Sequence, residues 1–217
     1  MADRPRHPDK QIKTAMTTFE FSIIASGIGH VADDFEDRFF KTGCDDATIA
    51  FARGVIILEF AREAESLEAA IASAIANVRT AGARVERIEP DSLVSLSEIA
   101  HRSGLTRQAI SNYAAGKGKR AEGFPPPIAR ITSESPLWDW PDVARWLSGK
   151  GVVSDGQVAE ALVIQRANEG LDHQENCSNV KSARKLMHAF DLRRDRERST
   201  RNIGSLELGR ELNHQVR

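Results

Sequence analysis

Residues 93–120, LVSLSEIAHRSGLTRQAISNYAAGKGKR, decide how the chain is read. Ser97–Arg102 reads as a short helix, Ser103-Gly104-Leu105 as a turn, and a second helix is expected from about Thr106 to Ala115. The small Ala100 lets the second helix cross closely, and Gly104 permits the turn. Ile99, Leu105, Ile110 and Tyr113 supply an apolar wedge between the two helices. Thr106 is placed to cap the second helix, because its hydroxyl can accept from an N–H of the first turn. Arg107, Gln108, Ser111 and Asn112 are then left on the outer face. Arginine matches phosphates and guanine edges, and glutamine or asparagine matches adenine. An ordinary helical hairpin inside a core accounts for the apolar spacing, but not for the cap, the turn and the basic charge together.

The following stretch, GFPPPIARITSESPLWDWPDVARWL (123–147), extends the pattern. Prolines stiffen the approach to an expected strand, Ile128–Thr132. A polar turn at Ser133-Glu134-Ser135 leads to a second strand entering Trp138-Asp139-Trp140. Pro141-Asp142 then opens a helix with Val143, Trp146 and Leu147 inward. A hairpin placed after the second helix is a wing. Residues 93–150 thus resemble the winged helix-turn-helix domains of the MerR/excisionase superfamily, especially small AlpA-like bacterial DNA-binding proteins. The shared features are the S-x-x-E-I-A helix start, Gly123-Phe124-Pro125, the tryptophan strand with Trp138 and Trp140, and the D-V-x-x-W-L helix from Asp142 to Leu147. The likeness covers about a quarter of the chain. It implies DNA binding, with Arg107, Gln108, Ser111 and Asn112 in the major groove and Lys117, Lys119 or Arg130 on the backbone or minor groove. Thr106 and Arg120 complete the expected contact set. A longer basic insert, AAGKGKRAEG, departs from the family pattern. Trp138, Trp140 and Trp146 are expected to be core residues rather than base-stacking platforms.

Upstream, residues 16–90 read as a β-α-β-β-α-β unit, the order of a ferredoxin-like domain. Phe19, Phe21 and Ile23 alternate as in a half-buried strand. Val31 to Lys41 has Val31, Phe35, Arg38 and Phe39 at helical spacing, closed by Gly43. Ala47–Ala52 and Val55–Ala61 are strand-like runs separated by Arg53-Gly54, a tight hairpin signal. Ser66 caps a helix to about Ala81, and Ala83–Ile88 forms a last strand. Asp33, Asp34, Glu36 and Asp37 read as first-turn carboxylates favoured by the helix dipole, in preference to a cation site. The expected fold class is therefore α+β: a ferredoxin-like domain, a small winged helix-turn-helix domain and a C-terminal helix. Residues 1–15 are expected to be a disordered extension, with Met16 an alternative start. Residues 151–171 carry a helix over Asp155–Asn168, capped by Ser154 or Asp155, that packs on the winged domain or pairs with a second copy. Residues 172–217 read as a mostly disordered basic tail holding Arg193, Arg194, Arg196, Arg198 and Arg201.

The 217 residues are 41% hydrophobic and 28% charged, a globular composition. The overall charge of −1 conceals a division. Residues 16–93 hold fourteen acids against seven bases, whereas residues 94–150 hold five acids against eight bases. The stretch 101–120 has Arg102, Arg107, Lys117, Lys119 and Arg120 and no acid. Such asymmetry suits a polyanion partner. No apolar run has membrane length, no secretory leader precedes the first strand, and the two cysteines are expected to be free thiols in the cytoplasm.

Catalytic chemistry finds little support. His173 and Cys177 lack a second ligand pair for a metal. Gly27-Ile28-Gly29 lacks the third glycine of a dinucleotide fingerprint. Cys44 stands beside Asp45 and Asp46, which oppose thiolate formation. The chain is read as a non-enzyme that uses no cofactor or metal and binds double-stranded DNA, as a bacterial transcriptional regulator. The alternatives are an excisionase-like DNA-bending factor and a protein-interaction adaptor that binds no DNA. A homodimer, and a protein partner or small effector at the N-terminal domain, stay open.

Overall fold

The computed structural model describes residues 16–29 and 34–173. The expected disordered extension, the start of the first helix at Val31, Asp33, Cys177 and the arginine-rich tail lie outside the described residues. The described residues up to Leu171 form one compact unit of mixed α and β structure.

Its N-terminal part is a four-stranded antiparallel sheet. The strands are β1 (Thr17–Ser26), β2 (Ala47–Ala52), β3 (Val55–Ala64) and β4 (Arg84–Glu89), in the order β2-β3-β1-β4. Strand β1 runs antiparallel to both β3 and β4, with Phe21 opposite Phe60 and Ile23 between Leu58 and Ile88. The period of two puts Phe21, Ile23 and Ala25 on one face with Ile56, Leu58 and Phe60, and all six are buried. The Phe21 and Phe60 rings stack with centroids 5.3 Å apart. Helices α1 (Phe35–Lys41) and α2 (Leu67–Thr80) supply the other half of this core through Phe39, Leu67, Ala70, Ile71, Ala74 and Val78.

Local chemistry explains these elements. Arg53 and Gly54 both adopt positive φ, 54° and 85°, as a two-residue hairpin turn matched to strand twist requires. The Ser66 hydroxyl accepts from the Ala69 N–H and caps α2. Arg62 points into the core with only 7% of its surface exposed. Its guanidinium donates to both oxygens of Asp46, at 2.7 and 2.8 Å, to the Gly43 carbonyl at 2.6 Å and to the Ser73 hydroxyl at 3.1 Å. One side chain thus fastens the α1–β2 connection to β3 and α2. Burial, the largest influence, pushes the Cys44 thiol up, which makes it a poor nucleophile.

A second core forms from residues 93–153. Strand β5 (Leu93–Val94) pairs antiparallel with β6 (Trp138–Asp139). Helices α3 (Leu96–Ser103), α4 (Arg107–Ala114) and α5 (Trp140–Ser148) enclose Val94, Ile99, Ile110, Val143 and Leu147, all fully buried. Trp138 and Trp140 are buried too, in keeping with their expected place in the core.

The expected wing strands are a correction. Ile128–Thr132 does not form a strand; only Ala129 bridges Leu137. Arg130 turns left-handed at φ 51°, and Pro136 has no N–H to extend the ladder. The residues after Leu137 pair instead with β5, and Trp140 begins α5 rather than ending a strand.

A final helix, α6 (155–173), touches both cores. Ser154 and Gln157 cap it reciprocally: the Gln157 N–H donates to the Ser154 hydroxyl, and the Ser154 N–H donates to the Gln157 side-chain amide oxygen. Val158 and Ala161 pack with the second core, whereas Ile164, Ala167 and Leu171 pack with the first. The expectation placed this helix on the winged region or a second copy; it also closes the sheet's core.

Candidate nucleic-acid interface

The two helices α3 and α4 are set by their ends. Ser95 and Glu98 form a reciprocal cap at the start of α3, and accepting the Ser95 N–H, the largest influence, holds the Glu98 carboxyl below its ordinary range. Gly104 closes α3 in the left-handed region at φ 68°. Thr106 then caps α4, its hydroxyl 3.2 Å from the Ala109 N–H. At the other end Gly116, at φ 66°, donates to the Tyr113 carbonyl and Lys117 donates to the Asn112 carbonyl. That pair of bonds is a Schellman closure. It releases the chain into the basic insert directly after the last turn of α4.

The outer side of α4 carries the expected side chains. Thr106, Arg107 and Gln108 are exposed, and Ser111 and Asn112 are half-buried. The Gln108 amide donates to the Asn112 amide oxygen at 3.2 Å, so the two share one face, one turn apart. Arg107 donates to the Ser97 hydroxyl at 3.1 Å, which steadies it against the first turn of α3. Lys117, Lys119, Arg120 and Arg130 are exposed. Among the described residues, none of these four or Arg107 forms an ion pair. Arg102 differs from the other bases of this stretch. It turns inward, with its guanidinium 5.3 Å from the centre of the Trp140 ring, and burial, the largest influence, lowers its pKa.

The basic insert is anchored by residues that the sequence reading treated only as core. The Trp146 indole N–H donates to the Glu122 carbonyl at 3.0 Å, and the Trp138 indole donates to the Pro125 carbonyl at 3.1 Å. Tyr113, Phe124 and Trp146 form an aromatic group with centroids 5.0 to 6.2 Å apart, Trp146 standing edge-on to the other two rings. Lys150 lies over the Trp146 ring at 4.5 Å. Gly123 sits at φ 75°, where an added Cβ would lie 3.6 Å from the Trp146 indole nitrogen. Ala121, buried, ends a 3₁₀ turn over Lys119–Ala121. The insert is therefore pinned from Ala121 to Pro125 while its lysines and arginine face outward. The indole signal was present in the tryptophan spacing, but its carbonyl partners lie 13 and 24 residues away.

Among the described residues, no group of three His, Cys, Asp or Glu is placed to hold a metal ion. No helix there is long and apolar enough to cross a membrane. No family model, characterised protein or solved structure matches the chain.

Proposed function

We propose that the chain binds double-stranded DNA sequence-specifically, with α4 as its recognition helix. The observation that carries this reading is the outer face of α4. Gln108 and Asn112 stand one turn apart beside Arg107, and the outward Lys117, Lys119 and Arg120 follow directly. Side-chain amides read base edges, whereas lysine and arginine fix register on phosphates. In this reading the segment 93–150 is a short-winged helix-turn-helix domain of the MerR/excisionase kind, and its β5–β6 pair supports the base of a small wing. The N-terminal part is a ferredoxin-like domain, since its antiparallel β2-β3-β1-β4 order is the one that fold takes. Its acidic surface belongs away from DNA, because its net charge repels phosphate. The chain is a bacterial cytoplasmic regulator and performs no catalysis. Selection of bound sites from random duplexes by the full chain tests this: a recurring motif is expected, and an unenriched pool would refute it.

A second reading, DNA bending, is favoured by one feature. Ile128 and Ile131 are 54% and 66% exposed on either side of the left-handed Arg130. Exposed apolar residues beside an arginine suit insertion at a minor-groove base step. Gel mobility with the selected site moved along a fragment distinguishes the two: position-dependent mobility marks bending, and constant mobility marks simple binding.

A further inference from the structure

We propose that a second copy of this chain docks along the open edge of the sheet, its β2 pairing antiparallel with β2 about a two-fold axis at Ile49. Among the described residues β2 has β3 as its one strand neighbour, so its other side is an edge. The Arg53-Gly54 turn pairs Ala52 with Val55, and the Ala61 N–H donates to the Asp46 carbonyl at 3.1 Å. Antiparallel bonding alternates, so Asp46, Thr48, Ala50 and Ala52 bond to β3, and the N–H and carbonyl of Ile49 face outward. Folded proteins usually guard such an edge with charge, proline, a bulge or a covering element. Strand β2, ATIAFA, carries neither charge nor proline, and its register against β3 runs unbroken. The opposite edge is guarded. Strand β4 carries Arg84, Glu86, Arg87 and Glu89, Pro90 follows it, and Asn168 takes both backbone bonds of Ile88.

Charge selects both the occupant and the register. A two-fold pairing centred on Ile49 sets Thr48 opposite Ala50, Ala47 opposite Phe51 and Asp45 opposite Arg53 of the second copy. Shifting the centre by one residue in either direction sets Arg53 opposite Gly43 or Ala47 instead, and no carboxylate then faces it. Asp45 and Arg53 are both exposed, and neither forms an ion pair among the described residues. Opposite charges directly across two strands stabilise the pairing, and the two-fold axis makes this pair twice. The groove between α1 and β2 holds about 370 Å³ and has Glu36, Asp37 and Asp45 on its rim and Phe40, Ala47 and Ile49 in its wall. Arg53 of the second copy enters that acidic rim. Phe51 of the second copy, opposite Ala47, comes to the side of the groove where Phe40 is 67% exposed. The inference does not rest on the DNA-binding reading, because self-association is measured without DNA.

Sedimentation velocity of the full chain over roughly 1 to 200 µM tests this, and a dimer Kd below about 50 µM is expected. The dimer should have twice the 23.9 kDa mass of the chain. Asp45→Arg and Arg53→Asp change exposed side chains and keep the fold, and aspartate tolerates the left-handed backbone at position 53. Each sets like charges opposite one another twice and should weaken the dimer about tenfold. Asp45→Arg combined with Arg53→Asp restores opposite charges and should return Kd to within about threefold of the parent chain. A chain that stays monomeric over that range, a single variant that dimerises as tightly as the parent, or a double variant no tighter than the single ones would each overturn the proposal.

Discussion

The Asn168 side chain makes both hydrogen bonds that a neighbouring strand would make to Ile88. Its amide oxygen accepts from the Ile88 N–H at 2.8 Å, and its amide nitrogen donates to the Ile88 carbonyl at 2.9 Å. Strand β4 is an edge of the sheet, so these backbone groups have no strand partner on that side. Asn168 thereby ties α6 to the sheet, while Gln165, one turn earlier, donates to Asp139 at 3.2 and 3.3 Å.

Replacing Asn168 by Leu should lower stability by about 1–3 kcal/mol, because it leaves two backbone groups unpaired beside apolar surface. Urea denaturation measures this. A loss below about 0.5 kcal/mol would mean that water replaces the amide without cost.

Asp46→Ala should be far more damaging, at about 3–5 kcal/mol, since it strands a buried guanidinium. Asp46→Ala combined with Arg62→Met should recover much of that loss, because no charge is then left unpaired. Melting curves of the single and double variants report the difference directly. Additive losses would show that Arg62 acts through packing and its Phe60 contact, 4.8 Å from the ring centre, rather than through charge.

Asp139 is buried under α6, and burial, followed by the charge of Asp142, raises its carboxyl above the ordinary range. A raised acid favours the fold when protonated. Its cost is therefore absent below the ordinary aspartate range, grows as pH rises from that range toward the raised value, and is complete above it. Asp139→Asn keeps an acceptor for Gln165 and removes that cost. It should raise the melting temperature at pH 7, with the gain shrinking as pH falls toward 3. A gain that is independent of pH would contradict this.

Four of the five bases in 101–120 face outward, because Arg102 turns onto Trp140. With Arg130 added, the slope of log K against log salt should be roughly −4 to −5 per protomer at about −0.9 per phosphate. Removing the charges of Lys117, Lys119 and Arg120 together should flatten it by about 2 to 3 and weaken all duplexes alike. A slope unchanged by that triple substitution would place the basic insert away from the backbone.

Local signals carried much of the fold. Ser66, Thr106, Gly104 and the Arg53-Gly54 pair each fix a helix end or a turn through a bond within a few residues, and each was readable. Long-range packing was not. That Ile164 and Leu171 complete the sheet's core, 80 or more residues beyond its last strand's start at Arg84, leaves no trace in local periodicity. The wing strand was misjudged for a similar reason: β-branched Ile128, Ile131 and Thr132 suit a strand, but Pro136 and the competing β5 pairing removed its partner. At the candidate interface the face of α4 was legible from spacing. The inward turn of Arg102 was not, because it depends on Trp140, 38 residues away.

The central claim is that α4 reads bases, and the affinity of Gln108→Ala and Asn112→Ala for a selected site and for random duplex tests it most directly. Each substitution should cost about 1–3 kcal/mol on the selected site and leave random-duplex binding nearly unchanged, because the removed amide contacts base edges only. Equal losses on both duplexes, or no loss on either, would contradict base reading by this helix.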